Sequence, residues 1–400
     1  MSRVQPIDSP SPIRIKEGRF ARLEAIEWWD QALLGRSRVL VIGAGALGNE
    51  IIKNLALLGV GQIVIADRDR VELSNLSRSV LFREADEGQP KAECAARAAQ
   101  RIFSGLQVKP LVGNVLADVG LGYFRWADVV IGALDNREAR VFVNSACARV
   151  GRPWFDGGIE VLNGVVRGFA PPGTACYECT MSKVDWELLN QGRSCSLLAG
   201  RAIAQRGTPT TPTTASVIGA MQVQEVIKHL HGFKALLGQG FIFDGAEHSS
   251  YKVNYPIAPG CPWHDPPAPI EPMPRFNSDT TLESICEEAA RTLGNVEALD
   301  LARELVERLE CPACGGAESV LQPAEKIRED QLRCPRCGTE RAPSFVHSIS
   351  AGSPLLKKAV REMGLPAWDI VWARHGMASL GFELPGDDPF AAGTREITGG

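Results

Sequence analysis

The short run GAGALG, from Gly43 to Gly48, constrains the fold of this chain more than any other feature of its sequence. It lies within RVLVIGAGALGNEIIKNL, where an apolar strand candidate leads into a glycine loop and the loop leads into a helix candidate. This is the G-x-G-x-x-G layout of a dinucleotide-binding fingerprint, in which a phosphate lies on the helix N-terminus. The loop therefore predicts a bound nucleotide, but it does not distinguish NAD from ATP.

Strand and helix patterns alternate along the first half of the chain. Strands are expected at 38–42, 62–66, 108–112, 128–133 and 153–156, and helices at 18–34, 46–58, 90–103 and 136–149. Alternation at this pitch predicts a doubly wound, Rossmann-like α/β sheet. Further strands at 160–170, in GFIFDG and in SYKVNYPI would make the sheet mixed, and a helix is expected at 214–231.

The composition changes after the last of these strands. Eight prolines lie within 256–277, which is typical of a linker, and 279–309 has a helical pattern. The expected organisation is therefore a series of six segments: a flexible N-terminus at 1–17, a nucleotide-binding unit at 18–265, a Pro-rich linker and helix at 266–310, a zinc ribbon at 311–342, a small α+β domain at 343–385 and a tail at 386–400.

Composition excludes several function classes. With 43 basic and 47 acidic residues the net charge is −4, which gives no electrostatic basis for binding nucleic acid or an anionic membrane. No apolar run approaches the roughly 20 residues of a transmembrane helix, and the N-terminus has no signal core. We therefore expect a soluble cytoplasmic protein.

Residues outside the glycine loop favour ATP over NAD. Asp67, at the end of the second strand candidate, could bind the ribose of either nucleotide. Asn75, Arg78 and Lys91 suit a triphosphate better, because one amide and two cations can neutralise a departing pyrophosphate. Asp135 follows the strand in VVIGALDN and could hold Mg²⁺ against the phosphates.

Each of these motifs also has a plain structural interpretation. The glycines could serve only a tight βα turn, and Arg78 and Lys91 could be ordinary surface charges. Asp135 and Asn136 could simply cap the helix that starts at the next residue. The ordered occurrence of all the motifs in one chain favours the nucleotide site.

Taken together, GAGALG, DRD…SNLSR, GQPKA, ALDN and CYEC resemble the ThiF/MoeB and ubiquitin-activating-enzyme superfamily over residues 18–265. The resemblance implies an enzyme that uses MgATP to adenylate the C-terminal glycine of a ubiquitin-like protein. By motif match, the nucleotide would contact Gly43, Gly45, Gly48, Asp67, Asp69, Asn75, Arg78, Lys91 and Asp135.

The resemblance also implies a dimer and a nucleophile. RFAR matches a family pattern whose arginine enters the partner subunit's ATP site, which assigns that role to Arg22 and implies a homodimer. Cys195, in QGRSCSLLAGR, lies in the 182–211 loop where thioester-forming members carry their cysteine. Arg193 and Arg201 are near it in sequence and could lower its pKa. An ordinary loop cysteine is the alternative.

Three Cys-x-x-Cys pairs indicate zinc. Cys311, Cys314, Cys334 and Cys337 have the spacing of a closed four-cysteine structural site. Cys176 and Cys179 supply half of another site, and by resemblance to the family its other ligands would be Cys261 and His264. Histidine at the last position departs from the family pattern.

The C-terminal third and Cys195 together favour ubiquitin-like conjugation, with transfer from the thioester to a conjugating enzyme. A MoeB/ThiF-like adenylyltransferase acting on a sulfur-carrier protein is the alternative within the family. Two alternatives from other classes are an NAD-dependent oxidoreductase and a catalytically silent scaffold.

Overall fold

A computed structural model describes residues 17–194, 209–386 and 389–390. Its larger sheet has eight strands in the order β3-β2-β1-β4-β5-β6-β7-β8. The strands are β1 (Arg38–Ile42), β2 (Gln62–Asp67), β3 (Gln107–Val112), β4 (Val129–Gly132), β5 (Trp154–Glu160), β6 (Asn163–Phe169), β7 (Gln239–Asp244) and β8 (Ser249–Asn254). The first five are parallel and the last three antiparallel, which confirms the mixed α/β sheet.

Helices cover both faces of this sheet, as its buried central strands require. In chain order they are α1 (Gln31–Arg36), α2 (Ala46–Leu57), α3 (Lys91–Ile102), α4 (Leu121–Trp126), α5 (Arg137–Val150), α6 (Lys183–Ser194) and α7 (Pro212–Leu230). Apolar residues of α2, α3 and α7 form one core cluster, and those of α4 and α5 form the other. The sheet is therefore doubly wound.

A second sheet of six strands follows. It contains β9 (Ile270–Pro272), β10 (Ala298–Glu310), β11 (Ala317–Pro323), β12 (Ala342–Ser350), β13 (Ile370–His375) and β14 (Ala378–Glu383). Five of them follow the order β11-β10-β13-β14-β9. The sixth, β12, lies off this path and pairs antiparallel with β10. Helix α8 (Leu282–Leu293) packs on this sheet through Leu282, Ile285 and Ala289.

Three expectations for the C-terminal region are wrong in detail. The helix expected at 279–309 ends at Leu293, because the following residues form β10, which pairs with β11, β12 and β13. The Pro-rich linker contributes β9, which pairs in parallel with β14. Within 343–385, the expected helix is replaced by two short 3₁₀ turns, Pro354–Lys357 and Val360–Met363.

The helix expected at 18–34 is also wrong. Residues 19–27 form successive turns, and the α-helix begins only at Gln31, where Asp30 Oδ1 accepts from Leu33 N at 2.8 Å. Trp28 packs edge-on against Phe233, with ring centroids 5.1 Å apart. This contact places Trp28 against the segment after α7.

A buried ion pair joins the two sheets. The side chains of Arg303 on β10 and Asp369 are 3% and 1% exposed, and their nearest nitrogen and oxygen are 3.1 Å apart. Arg303 also donates to the carbonyl oxygens of Leu116 and Val119, and Asp369 accepts from Leu121 N. The segment leading into α4 is thereby fixed to the second sheet. In the part of the chain that the structure describes, no helix is long and apolar enough to cross a membrane.

Candidate active site and metal centres

The candidate nucleotide site lies at the carboxyl ends of β1, β2 and β4. The chain adds β2 and β3 on one side of β1 and then β4 and β5 on the other, so the strand order reverses between β1 and β4. A crevice at such a switch point is where open α/β sheets bind ligands. The glycine loop follows β1, Asp67 ends β2 and Asp135 follows β4, so the topology brings these three predicted features to one edge.

The glycine loop needs its glycines for steric reasons. Gly43 has φ = +98°, a conformation that favours glycine, and a Cβ there would collide with the carbonyl oxygen of Ala133. A Cβ at Gly48 would collide with the carbonyl oxygen of Gly43. Gly45 is the N-cap of α2 and supplies no side-chain cap. The N-terminus of α2 can therefore accept an anion from outside.

Asp67 is held by the backbone on both of its oxygens. Oδ2 accepts from Ala44 N at 2.6 Å, and Oδ1 accepts from Asp69 N at 2.7 Å. Burial raises the pKa of Asp67, although these two N–H groups and the charge of Lys91 oppose that increase. The carboxylate is thus fixed beside the loop, and the spare lone pairs of its oxygens can accept from ribose hydroxyls.

Lys91 lies at the start of α3 with its side chain 12% exposed, and its Nζ is 3.1 Å from Asp69 Oδ2. A chain of contacts therefore runs from the glycine loop through Asp67 and Asp69 to Lys91. Asp69 is half exposed, so it neutralises the Lys91 ammonium only partly, and this ammonium could also contact a phosphate.

Asn75 and Arg78 belong to one compact turn. Asn75 is buried, and its Oδ1 accepts from Glu72 N at 3.1 Å. Arg78 Nη1 donates to the carbonyl oxygen of Ser74 at 2.8 Å. These bonds fix the turn that carries both side chains.

The structure separates the roles of Asp135 and Asn136. Asn136 caps α5 by accepting from Ala139 N at 2.8 Å, and its Nδ2 donates to Asp135 Oδ1 at 2.9 Å. Asp135 itself is exposed. The capping interpretation therefore holds for Asn136, and it leaves a carboxylate oriented by Asn136 at the end of β4.

Of the other predicted residues, Arg22 is not brought into this group. Arg22 is exposed in the N-terminal turns, and no residue that the structure describes forms a hydrogen bond or ion pair with it. Cys195 lies outside the described residues.

Sequence reasoning missed Asn49, a buried residue of α2 that supports the site. Its Nδ2 donates to the carbonyl oxygens of Ala44 and Gly45 at 2.7 and 3.0 Å, and its Oδ1 accepts from Leu81 N at 2.8 Å. Asn49 thereby ties the glycine loop to the segment that follows Arg78. The sequence gives one indication of this role, because Asn49 is a polar residue on the apolar side of a helix.

The first metal-ligand cluster brings together residues far apart in the chain. The Sγ atom of Cys176 is 3.7 Å from that of Cys179 and 3.6 Å from that of Cys261, and Cys179 Sγ is 3.1 Å from His264 Nε2. Burial raises the pKa of the Cys179 thiol, but hydrogen bonds from Ala258 N and its neighbours outweigh this and lower it to about 7, whereas burial raises the pKa values of the Cys176 and Cys261 thiols. Cys179 is therefore the sulfur of this cluster that loses its proton most readily.

The second cluster contains four cysteines from two turns. The Sγ atoms of Cys311 and Cys337 are 3.5 Å apart, and those of Cys314 and Cys334 are 3.6 Å apart. In both clusters all ligand atoms lie within 4.8 Å of one another.

Both clusters fit a tetrahedral zinc ion. A Zn–S bond of about 2.3 Å places tetrahedral sulfur ligands about 3.8 Å apart, close to the measured separations. Four protein ligands would leave no position for a reactive water. Each cluster is therefore suited to a structural metal centre.

Comparisons with known proteins place this geometry in context. Residues 18–262 match the ThiF family. The chain is 32% identical over 238 residues to a sulfur carrier protein adenylyltransferase of Thermus thermophilus, covering 58% of this chain and 83% of that protein. It is also 32% identical over 240 residues to a SAMP-activating enzyme E1 of Haloferax volcanii, covering 58% and 82%.

Eukaryotic relatives match over a shorter segment. The chain is 38% identical over 149 residues to the ubiquitin-activating enzyme E1-like protein of Saccharomyces cerevisiae, covering 37% of this chain and 23% of that protein. Among four such relatives the chain spans only 23% to 39% of their length. The crystal structure of E. coli MccB with ATP has a TM-score of 0.53 at 22% identity, covering 63% of this chain and 75% of that one, which shows a shared fold.

Proposed function

Because the chain belongs to the ThiF family, we propose that it is a MgATP-dependent adenylyltransferase that activates the C-terminal glycine of a ubiquitin-like protein. The observation that carries this proposal is the chain of contacts from the glycine loop through Asp67 and Asp69 to Lys91. These contacts bring together the N-terminus of α2, the Asp67 carboxylate as an acceptor for the ribose and the Lys91 ammonium, at the carboxyl ends of the strands.

In the proposed reaction, a carboxylate oxygen of the terminal glycine attacks the α-phosphorus of ATP. A new carboxyl-oxygen-to-phosphorus bond forms, the bond to the bridging oxygen breaks, and pyrophosphate leaves with that electron pair. The step relies mainly on positioning and charge neutralisation. Asn75, Arg78 and Lys91 would bind the phosphates, and Asp135 would hold the Mg²⁺ that neutralises them.

Arg22 would act from the partner subunit of a homodimer. Its support is the RFAR motif and its exposure in the N-terminal turns, where it makes no bond to the described residues of its own chain. A guanidinium supplied this way would add a further positive charge to the phosphates of the other active site.

After adenylation, Cys195 would form a thioester. Its sulfur would attack the acyl carbon, AMP would leave and the thiol proton would pass to solvent. A conjugating enzyme would then receive the modifier. The support is the position of Cys195 in the sequence directly after α6, a helix that replaces the first part of the loop expected at 182–211, and the relatives named as activating enzymes.

The sulfur-carrier alternative has its own support. The Thermus adenylyltransferase aligns over 83% of its length. In that case the acyl-adenylate would pass to an external sulfur donor, and Cys195 would have no covalent role. In either case zinc at both clusters would be structural.

ATP–pyrophosphate exchange in the presence of the cognate ubiquitin-like protein tests the adenylation step. We expect Lys91→Met to slow exchange by about 10²–10³-fold, the usual cost of losing one group that stabilises transition-state charge. Lys252→Met, on the exposed edge strand β8, is the matched control. Absence of exchange, together with tight NAD binding, would instead support the oxidoreductase.

A Cys195→Ala variant separates the two family functions. If conjugation is correct, this variant retains exchange but loses a thiol-sensitive adduct with the ubiquitin-like protein. An unchanged product profile would contradict the thioester and favour sulfur transfer.

A further inference from the structure

A cavity of ≈ 150 Å³ lies where the end of α5 meets the second sheet. Arg149 is in the last turn of α5, thirteen residues beyond the cap at Asn136 and about 20 Å from it along the helix axis. The cavity is therefore distinct from the candidate nucleotide site. Its apolar lining comes from Ala148, Pro262, Pro266, Pro267 and Ala268.

Two tryptophans hold the guanidinium of Arg149 in this cavity. Its Cζ is 4.8 Å from the ring centroid of Trp372 and 5.5 Å from that of Trp263. Trp263 Nε1 donates to Glu178 Oε1 at 2.6 Å, which fixes that indole beside the first metal-ligand cluster. Cation–π contacts of this kind orient a guanidinium without using its in-plane N–H groups.

Those N–H groups have no acceptor in the described part of the chain. Nε of Arg149 is buried without a hydrogen-bond partner, and no described residue forms a hydrogen bond or ion pair with the other two nitrogens. Burial lowers the pKa of Arg149. An arginine that is desolvated but not hydrogen-bonded is costly, and a bound acceptor would remove that cost.

Asp300 and Asp369 act on Arg149 through their charges but form hydrogen bonds with other groups, and Asp369 Oδ2 is buried without a hydrogen-bond partner among the described residues. Asp300 accepts from Arg374 and Ser348, and Asp369 accepts from Arg303 and Leu121 N. Asp265 lines the cavity but is exposed. These three charges reduce the local positive potential, so the surroundings favour an anion with one negative charge over a phosphate dianion.

We propose that this cavity binds a carboxylate attached to an apolar group, with the carboxylate on the in-plane N–H groups of Arg149 and the apolar group against Trp263 and Trp372. A planar carboxylate matches the guanidinium fork. Its source would be a small organic acid or the C-terminal residue of a polypeptide. This site does not depend on the proposed adenylation.

Benzoate is the first probe, and the full chain labelled with ¹⁵N-arginine reports its binding through the Nε–H resonance of Arg149. We expect a saturable shift with benzoate, none with neutral benzamide, and inorganic phosphate binding at least about tenfold more weakly. A tripeptide ending in a free phenylalanine carboxylate, compared with its amide, then identifies the source. Tighter binding than benzoate points to a polypeptide, and weaker binding points to a small acid.

Arg149→Met should abolish benzoate binding in calorimetry. Arg101→Met, which removes an exposed arginine from the last turn of α3, should not change it. The wild-type comparison of benzoate with benzamide remains decisive even if Arg149→Met does not fold. An unmoved Arg149 resonance at saturating benzoate, or an equal shift with benzamide, would overturn the proposal and leave Arg149 as a structural contact between the sheets.

Discussion

Replacing Arg303 by methionine should release the second sheet from the first. The Arg303 side chain makes three hydrogen bonds: a partly buried one to Leu116 O at 2.7 Å, and buried ones to Val119 O at 3.1 Å and to Asp369 Oδ1 at 3.1 Å. Removing one partner of a buried pair costs about 3–5 kcal/mol, because the remaining charge is left buried and uncompensated. Both side chains here are almost fully buried, so this range applies without a reduction for solvent screening.

The double variant Arg303→Met/Asp369→Leu tests the cause. It removes both charges, so its loss of stability should be smaller than that of Arg303→Met alone, even though three backbone groups lose their partners. Arg308→Met is the matched control on the same strand, since Arg308 forms only an exposed pair with Glu310 and should contribute at most about 1 kcal/mol.

Native-state hydrogen exchange of the β10 and β13 amides measures these free energies of opening. We expect a loss of about 3–5 kcal/mol for Arg303→Met and little change for Arg308→Met. Equal losses for the two single variants, or a double variant less stable than Arg303→Met, would refute the reasoning.

Three further predictions concern the candidate site and the metal centres. Gly48→Ala should abolish pyrophosphate exchange, because its Cβ would displace the loop backbone, whereas Gly35→Ala, with open space around it, should not. Burial lowers the pKa of His229, so the unfolded chain binds a proton more readily than the folded chain does. The free energy of unfolding should therefore fall as pH decreases below about 6.5, by at most about 1.4 kcal/mol per pH unit. His229→Gln should flatten the dependence of Tm on pH between about pH 7.5 and 5.5. Cys314→Ser should lower the zinc content measured by atomic absorption from two equivalents to one, and unchanged content would contradict a four-cysteine centre.

Much of the first sheet could be predicted from the sequence because its signals are local. The apolar strand β1 is followed at once by the glycine turn and a periodic helix, so β1 and α2 begin at the expected residues. Strand β10 could not be recognised in this way. Leu301, Leu305 and Leu309 are four residues apart, a spacing that fits one face of a helix as well as one face of a strand, and a bulge between Val306 and Arg308 interrupts the strand alternation. Pairing with three distant strands overrides that local preference.

The candidate site shows the same division between local and distant signals. Asp67 and Asp135 could be identified because they lie at or just beyond the carboxyl ends of strands, and the topology brings these strand ends together. The support given by Asn49 depends on a hydrogen bond to Leu81, which no motif records. The cavity at Arg149 depends on Trp263 and Trp372, which lie far away in sequence.

The C-terminal residues are expected to be necessary for folding of the nucleotide-binding unit. Ile370 and Trp372 of β13 are buried in the same apolar cluster as Phe142 of α5 and Trp154 of β5. A chain ending at residue 265 would lose these partners together with the Arg303–Asp369 pair, and it would expose apolar surface around α4 and α5. We therefore expect the 1–265 fragment to aggregate or to bind a hydrophobic dye strongly, whereas the full chain should not. A fragment that stays monodisperse and unfolds cooperatively would show instead that the second sheet is a separable addition.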